Sequence, residues 1–229
     1  MSRIAILFIG GVRECLGDIS RNIITLQNDL VSHHTHTFFS TWFPEAEPYN
    51  ISGSNYCCDY SIPKLQEQLT TVNTVMFHKQ KRLSEYATAR NSYPPMFTYQ
   101  LMEVAKSFRL LGENYDYIVK TRHDNLFSMK NIEKYFTDDF SVLPLYWVHG
   151  RERDYSMVND HFFITSFNTF MKYADLSDDV LKEYCSHSHN CEQSNAITMS
   201  SMSNVRFVDE SDIVKYSNKN LPERRFIGF

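Results

Sequence analysis

The stretch YDYIVKTRHDNLF, Tyr115 to Phe127, decides how this chain is read. Tyr117, Val119 and Thr121 alternate with Ile118 and Lys120, the period-two pattern of a strand. The alternation then breaks into Thr121-Arg122-His123-Asp124-Asn125, five polar residues in a row, before Leu126 and Phe127 resume. A strand that wants to be buried and yet ends in a cation, an imidazole and a carboxylate carries chemistry at that end. Just upstream, Phe97, Leu101, Val104, Ala105, Phe108 and Leu111 fall at helical spacing within Met96–Leu111, and Gly112 supplies a C-terminal stop.

Working outward, the same helix-then-strand grammar opens the chain. Ile4 to Ile9 is a continuous apolar run, the mark of a strand covered on both faces, and it ends at Gly10-Gly11. Asp18 or Ser20 can cap a helix reaching about Leu30, with Ile19, Ile23, Leu26 and Leu30 on one face. HTHTFFSTW reads as the second strand and VNTVMFH as a short third, with a short helix over Ile62–Leu69 between them. Further on, FSVLPLYWVHG and VNDHFFITSF read as strands, Asn168–Asp175 starts a helix, another opens near Cys191-Glu192, and NVRFVD is a late strand. Strands alternating with helices in the first half predict an α/β fold with a mostly parallel central sheet. Closer strand spacing in the second half predicts an antiparallel edge. No linker justifies a cut, so residues 1–229 are expected to form a single domain with a nucleotide-type first half, 1–127.

The 229 residues suffice for one domain with a full core. Hydrophobic residues make up 42 % and charged residues 22 %, an ordinary globular composition, while 17 Phe and 14 Tyr point to a ring-rich core. A net charge of −4 argues against a nucleic-acid surface, which is usually basic. Five cysteines, two of them adjacent, do not make a secreted disulfide framework, and a reducing, cytoplasmic compartment is expected. The apolar start is too short for a transmembrane helix, and no later stretch approaches that length. CSHSHNC sets Cys185, His187, His189 and Cys191 at alternate positions, but alternate residues of one extended run cannot readily surround a zinc ion, so a polar loop is the default there.

In an open α/β sheet, ligands sit beyond the carboxyl ends of the strands. That rule converges three turns on one rim: Gly10-Gly11-Val12-Arg13, Ser40-Thr41-Trp42, and Arg122-His123-Asp124-Asn125. Glycine lets the backbone approach a ligand, and Arg13 can grip phosphate; a tight turn with a surface arginine is the plain alternative. Asp124 can bind Mn²⁺ or Mg²⁺ with a diphosphate supplying further oxygens; a structural Arg–Asp pair is the plain alternative. Asp160 can face the same cleft as a base or serve only as a turn carboxylate. Glu192 can do the same, or be a first-turn acid favoured by the helix dipole.

Together FIGGVREC, TFFSTW, MFTYQLMEVAKSFRLLGENYDYIVKTRHDNLF and VNDHFFITSFNTFMKYADL resemble a group of glycosyltransferase-like proteins of bacterial surface-polysaccharide clusters and large DNA viruses, akin to the WavE lipopolysaccharide-synthesis proteins. The resemblance spans residues 4–43 and 93–176 and rests on the order of the motifs. It implies a GT-A-like fold, a nucleoside-diphosphate sugar as donor, a glycan or glycoprotein acceptor and a divalent metal. On it, Gly10, Gly11, Arg13, Thr41, Trp42 and Arg122 hold the donor, Asp124 is the metal ligand, and Asp160 with Glu192 are the candidate catalytic bases. Two departures stand out. The Asp-x-Asp usual in metal-dependent GT-A enzymes is here Arg122-His123-Asp124, so only Asp124 carries over as a ligand. His161 stands where relatives often have Gln. The function implied is a sugar transferase; a catalytically inert nucleotide- or carbohydrate-binding module is the main alternative, and a metal-dependent phosphohydrolase the lesser one.

Overall fold

Ile4 to Ile9 are each at most 1 % exposed, which makes β1 (Arg3–Ile9) a strand covered on both faces, as its unbroken apolar run requires. The computed structural model describes residues 1–10, 16–42, 50–51, 54–55, 62–78, 96–123, 127–143, 157–158, 161–188 and 191–215. Ile4, Ile6 and Phe8 point into one core and Ala5, Leu7 and Ile9 into another. Helix α1 (Leu16–Asp29) closes the first core with Ile19, Ile23 and Leu26; it begins ahead of the expected Asp18 or Ser20 cap.

β1 pairs in parallel with β2 (His34–Trp42) on one side. Two short strands, β3 (Asn50–Ile51) and β4 (Ser54–Asn55), pair antiparallel with each other. After α2 (Ile62–Gln68) comes β5 (Thr74–His78), parallel to β2 and shorter than VNTVMFH suggested. Helix α3 (Met96–Leu111) covers the second core with Leu101, Val104, Ala105 and Phe108, and Gly112 ends it at φ +67. The opening stretch delivers β6 (Tyr117–Thr121), parallel to β1 on its other side.

Beyond β6 the chain turns into β7 (Phe127–Met129) and then a single 3₁₀ turn, Ile132–Tyr135. FSVLPLYWVHG yields β8 (Phe140–Val142), with residues 144–150 outside the described ones, and VNDHFFITSF yields β9 (Phe162–Ser166). β9 runs antiparallel to both β6 and β8, so the antiparallel pairings gather in the half of the sheet that the second half of the chain builds. The Ser166 hydroxyl accepts the Thr169 N–H and starts α4 (Phe167–Met171) one residue sooner than expected; Lys172–Asp175 continues as a 3₁₀ turn.

The structure adds a helix that periodicity did not reveal, α5 (Asp178–Ser186). Ser177 caps it by accepting the Val180 N–H, and Asp178 and Asp179 favour its first turn. Cys185 therefore sits buried on a helix, with its sulfur 3.7 Å from Ser194 Oγ, instead of on a polar loop. Helix α6 (Cys191–Met202) leads into β10 (Val205–Phe207), parallel to β8. Among the described residues the main sheet has the order β10-β8-β9-β6-β1-β2-β5, a single α/β sheet flanked by helices. β11 (Ile213–Lys215) pairs antiparallel with β7 beside it. No described helix is long and apolar enough to cross a membrane.

Phe108 is the hub of the second core. Its ring centroid lies 4.7 Å from Phe38, 5.9 Å from Tyr115, 6.1 Å from Phe167 and 6.0 Å from Phe170, joining α3 to β2, to the turn before β6, and to α4. Asp212 is the fastener of β11: its carboxylate accepts hydrogen bonds from Tyr135 Oη at 2.6 Å, Lys134 Nζ at 3.0 Å and Asn131 Nδ2 at 3.1 Å. Those bonds, the one from Tyr135 foremost, hold its pKa down to about 2 against the ordinary 3.8.

Phe108→Ala is expected to cost about 3–5 kcal/mol in denaturant unfolding, while Leu110→Ala, on the exposed side of the same helix, changes stability by no more than about 0.5 kcal/mol. For Asp212 the folded pKa lies below the unfolded one. Its contribution is therefore complete above about pH 4 and is lost as pH falls toward about 2. Acid-unfolding curves of Asp212→Asn should lack that component, and a curve parallel to that of the unsubstituted protein would refute the assignment.

Candidate functional site

Parallel pairing aligns the carboxyl ends of β5, β2, β1 and β6 on one edge of the sheet. Ile9 lies opposite Ser40, Trp42 opposite His78, and Phe8 opposite Thr121. The crossover helices α1 and α3 run back against these strands, so their first turns stand at the same edge. Two side-chain bonds record this. Gln100 Nε2 donates to the Ser40 carbonyl at 2.9 Å and to Ser40 Oγ at 3.0 Å, and Asn22 Nδ2 donates to the His123 carbonyl.

Gly10 ends β1 at φ +153, a conformation that side chains of L-residues rarely adopt, and its N–H donates to the Ser40 carbonyl at 3.3 Å. A Cβ there would lie 3.6 Å from His123 Cε1, an ordinary contact, so the backbone angle and not the space is what calls for glycine. His123 is 2 % exposed, with its ring 5.5 Å from that of Phe39. Thr41 is fully buried one residue past Ser40. Arg122 leaves β6 half-buried, and its N–H donates to the His161 carbonyl at 3.1 Å. Trp42 closes β2 in register with His78; its side chain is outside the described residues.

The edge is also where buried polar atoms go unsatisfied. Among the described residues, Asn22 Oδ1, Thr41 Oγ1 and His78 Nε2 have no hydrogen-bond partner, though Thr41 is 0 % exposed and Asn22 5 %. An unpaired buried polar group costs about 1–3 kcal/mol, and folded proteins hold few of them. Three at the carboxyl end of one sheet mark a place that a polar ligand would complete. Burial lowers the His78 pKa below the ordinary imidazole value, against the opposing pull of Glu103.

The sequence-derived residues divide as follows. Gly10, Thr41, Trp42 and Arg122 lie on this single edge. Glu192 is half-buried in the first turn of α6, where its carbonyl accepts the Val158 N–H at 3.1 Å, on the chain that leads into His161 and β9. Gly11, Arg13, Asp124 and Asp160 are outside the described residues. Among the described residues no group of three His, Cys, Asp or Glu could hold a metal ion. Sequence reasoning missed Asn22, whose signal was a polar residue next to Ile23 on a helix face turned inward, and His78, the final residue of a short strand. It also understated Lys120. This lysine is fully buried on the face of β6 that meets α3, with Nζ 3.8 Å from the Phe97 ring centroid. A lysine at the centre of a buried strand was the signal.

No protein-family model matches the chain, and no curated protein matches it. Solved structures do. The galactosyltransferase LgtC, determined with donor and acceptor sugar analogues, superposes with a TM-score of 0.50 at 7 % identity, over 90 % of this chain and 73 % of that one. A candidate nucleotide-diphospho-sugar transferase from Desulfovibrio desulfuricans gives a TM-score of 0.41 at 10 % identity, over 91 % of this chain and 80 % of that one. The chain shares with LgtC a GT-A-like α/β fold.

Gly10→Ala is expected to cost about 1–3 kcal/mol in denaturant unfolding, because the strain comes from the backbone angle and not from a clash. A cost below about 0.5 kcal/mol would mean that this turn does not need glycine.

Proposed function

We propose that the chain transfers a sugar from a nucleoside-diphosphate donor to an acceptor hydroxyl, in the synthesis of a surface glycan or glycoprotein. The observation that carries this reading is the set of unsatisfied buried polar atoms at the carboxyl edge of a glycosyltransferase fold, beside a glycine turn and Arg122. The nucleotide-binding half, residues 1–127, supplies the donor site. Gly10 and Gly11 admit the diphosphate to the backbone, Arg13 grips it bidentately, Thr41 and Trp42 line the nucleotide pocket, and Arg122 faces the phosphates. The acceptor-side half, residues 128–229, supplies the base.

In the inverting version, the acceptor oxygen forms a bond to the anomeric carbon as the bond to the diphosphate oxygen breaks. The acceptor proton passes to a carboxylate, with Asp160 the first choice and Glu192 the second. The electron pair leaves with the diphosphate, and the guanidinium groups of Arg13 and Arg122 counter its charge. Asp124 is the residue assigned to Mn²⁺ or Mg²⁺, which when bound would neutralise phosphate charge. Among the described residues no group of three His, Cys, Asp or Glu stands ready for a metal ion, and no step here runs through the ion.

The same single carboxylate favours a second reading, an inert module that binds a nucleotide or carbohydrate without transfer. Calorimetry with UDP, GDP and CDP, with and without Mn²⁺, followed by a donor-hydrolysis panel, separates the two. Transfer or donor hydrolysis supports the transferase. Binding without turnover supports the module, and no nucleotide binding at all defeats the transferase reading and leaves a carbohydrate-binding module. Asp124→Ala should weaken Mn²⁺-dependent binding at least tenfold while the protein stays folded. Unchanged binding would remove Asp124 from the site.

A further inference from the structure

We propose that Asn22 and Asp29 are positioning residues for the donor edge: from one helix, α1, they hold His123 and β7, the described residues on either side of Asp124. The inference rests on reading that edge as the nucleotide-sugar site.

Asn22 and Asp29 are seven residues apart on α1, which returns them to nearly the same stripe of the helix, about 10 Å apart along its axis. At the upper end, the amide of Asn22, 5 % exposed, donates to the carbonyl of His123, the residue just before Asp124. At the lower end, Asp29 Oδ1 accepts the Ser128 hydroxyl at 2.5 Å and Asp29 Oδ2 accepts the Met129 N–H at 3.0 Å. One rigid helix thus grips the chain immediately before Asp124 and again four and five residues after it.

The lower grip is unusual for its cost. A half-buried carboxylate at a helix C-terminus faces both desolvation and the negative end of the helix dipole. Burial raises the Asp29 pKa despite its two hydrogen bonds. A carboxylate kept under such conditions is there for its two oxygens, which accept two donors from β7 at once. From its other edge, β7 is paired with β11, Met129 opposite Ile213 and Phe127 opposite Lys215, and Asp212 fastens β11 in turn. β7 is therefore fixed from a helix on one side and a strand on the other.

The test combines hydrogen exchange with nucleotide binding on the full chain. In Asp29→Asn and Asn22→Ala, amides of residues 123–129 should exchange about tenfold faster than in the unsubstituted protein, and UDP affinity, measured with and without Mn²⁺, should fall about tenfold. Thr25→Ala, which removes only a hydroxyl bonded to the Arg21 carbonyl of the same helix, should change neither. Should Asp29→Asn fail to fold, Ser128→Ala deletes one donor without touching the charge and reads the same step. Folded variants with unchanged exchange in 123–129, or with exchange altered but UDP affinity unchanged, would overturn the positioning role while leaving the transferase reading intact. If the unsubstituted protein binds no nucleoside diphosphate, both fall together.

Discussion

The parallel pairing of β1 with β2 and with β6 is the constraint on which the rest depends. Parallel strands require crossover connections, and the crossovers here place α1 on one face and α3 on the other. Because β1, β2 and β6 point the same way, the turns that follow them arrive at one edge. The chain thus concentrates its polar breaks, Gly10, Ser40-Thr41 and Arg122-His123, at one end of a sheet whose middle is apolar on both faces. Burial of β1 drives the assembly, and the chemistry collects where that burial runs out.

The edge carries local costs that the body of the fold absorbs. Thr41 and Asn22 keep buried oxygens without partners, His78 is buried with an unsatisfied nitrogen, and Gly10 takes a backbone angle that other residues resist. The ring-rich core around Phe108 and the Asp212 fastener lie away from this edge, and neither contains such a compromise. Among the described residues the unsatisfied buried polar atoms gather at this edge, which is why a polar ligand is proposed there.

Much of this was legible in the chain itself. The Ile4–Ile9 run, the helical face from Phe97 to Phe108 and the strand from Tyr117 to Thr121 were read correctly because each signal is local and strongly periodic, whereas Leu111, read onto the same helix face, is 65 % exposed because the helix ends there. The elements that escaped have other causes. β7 and β11 are three residues long, and only their pairing across more than eighty residues makes them strands. α5 has few apolar positions and is announced by Ser177 and two acids, a cap signal more than a periodic one. Of the candidate site, the strand ends could be read, because a polar break after a buried run is conspicuous. The helix residues that grip them could not: Asn22 and Asp29 look like ordinary helix polar positions until β6 and β7 are folded beside them.

The central claim is that a nucleoside diphosphate binds at the carboxyl edge formed by β1, β2 and β6. A crystal structure of the protein with UDP tests this most directly. The account predicts the diphosphate against the Gly10–Arg13 turn, and the base or ribose bonded to Thr41 Oγ1 or Asn22 Oδ1. Nucleotide bound at the opposite edge, or at this edge with those atoms still unpartnered, would contradict it.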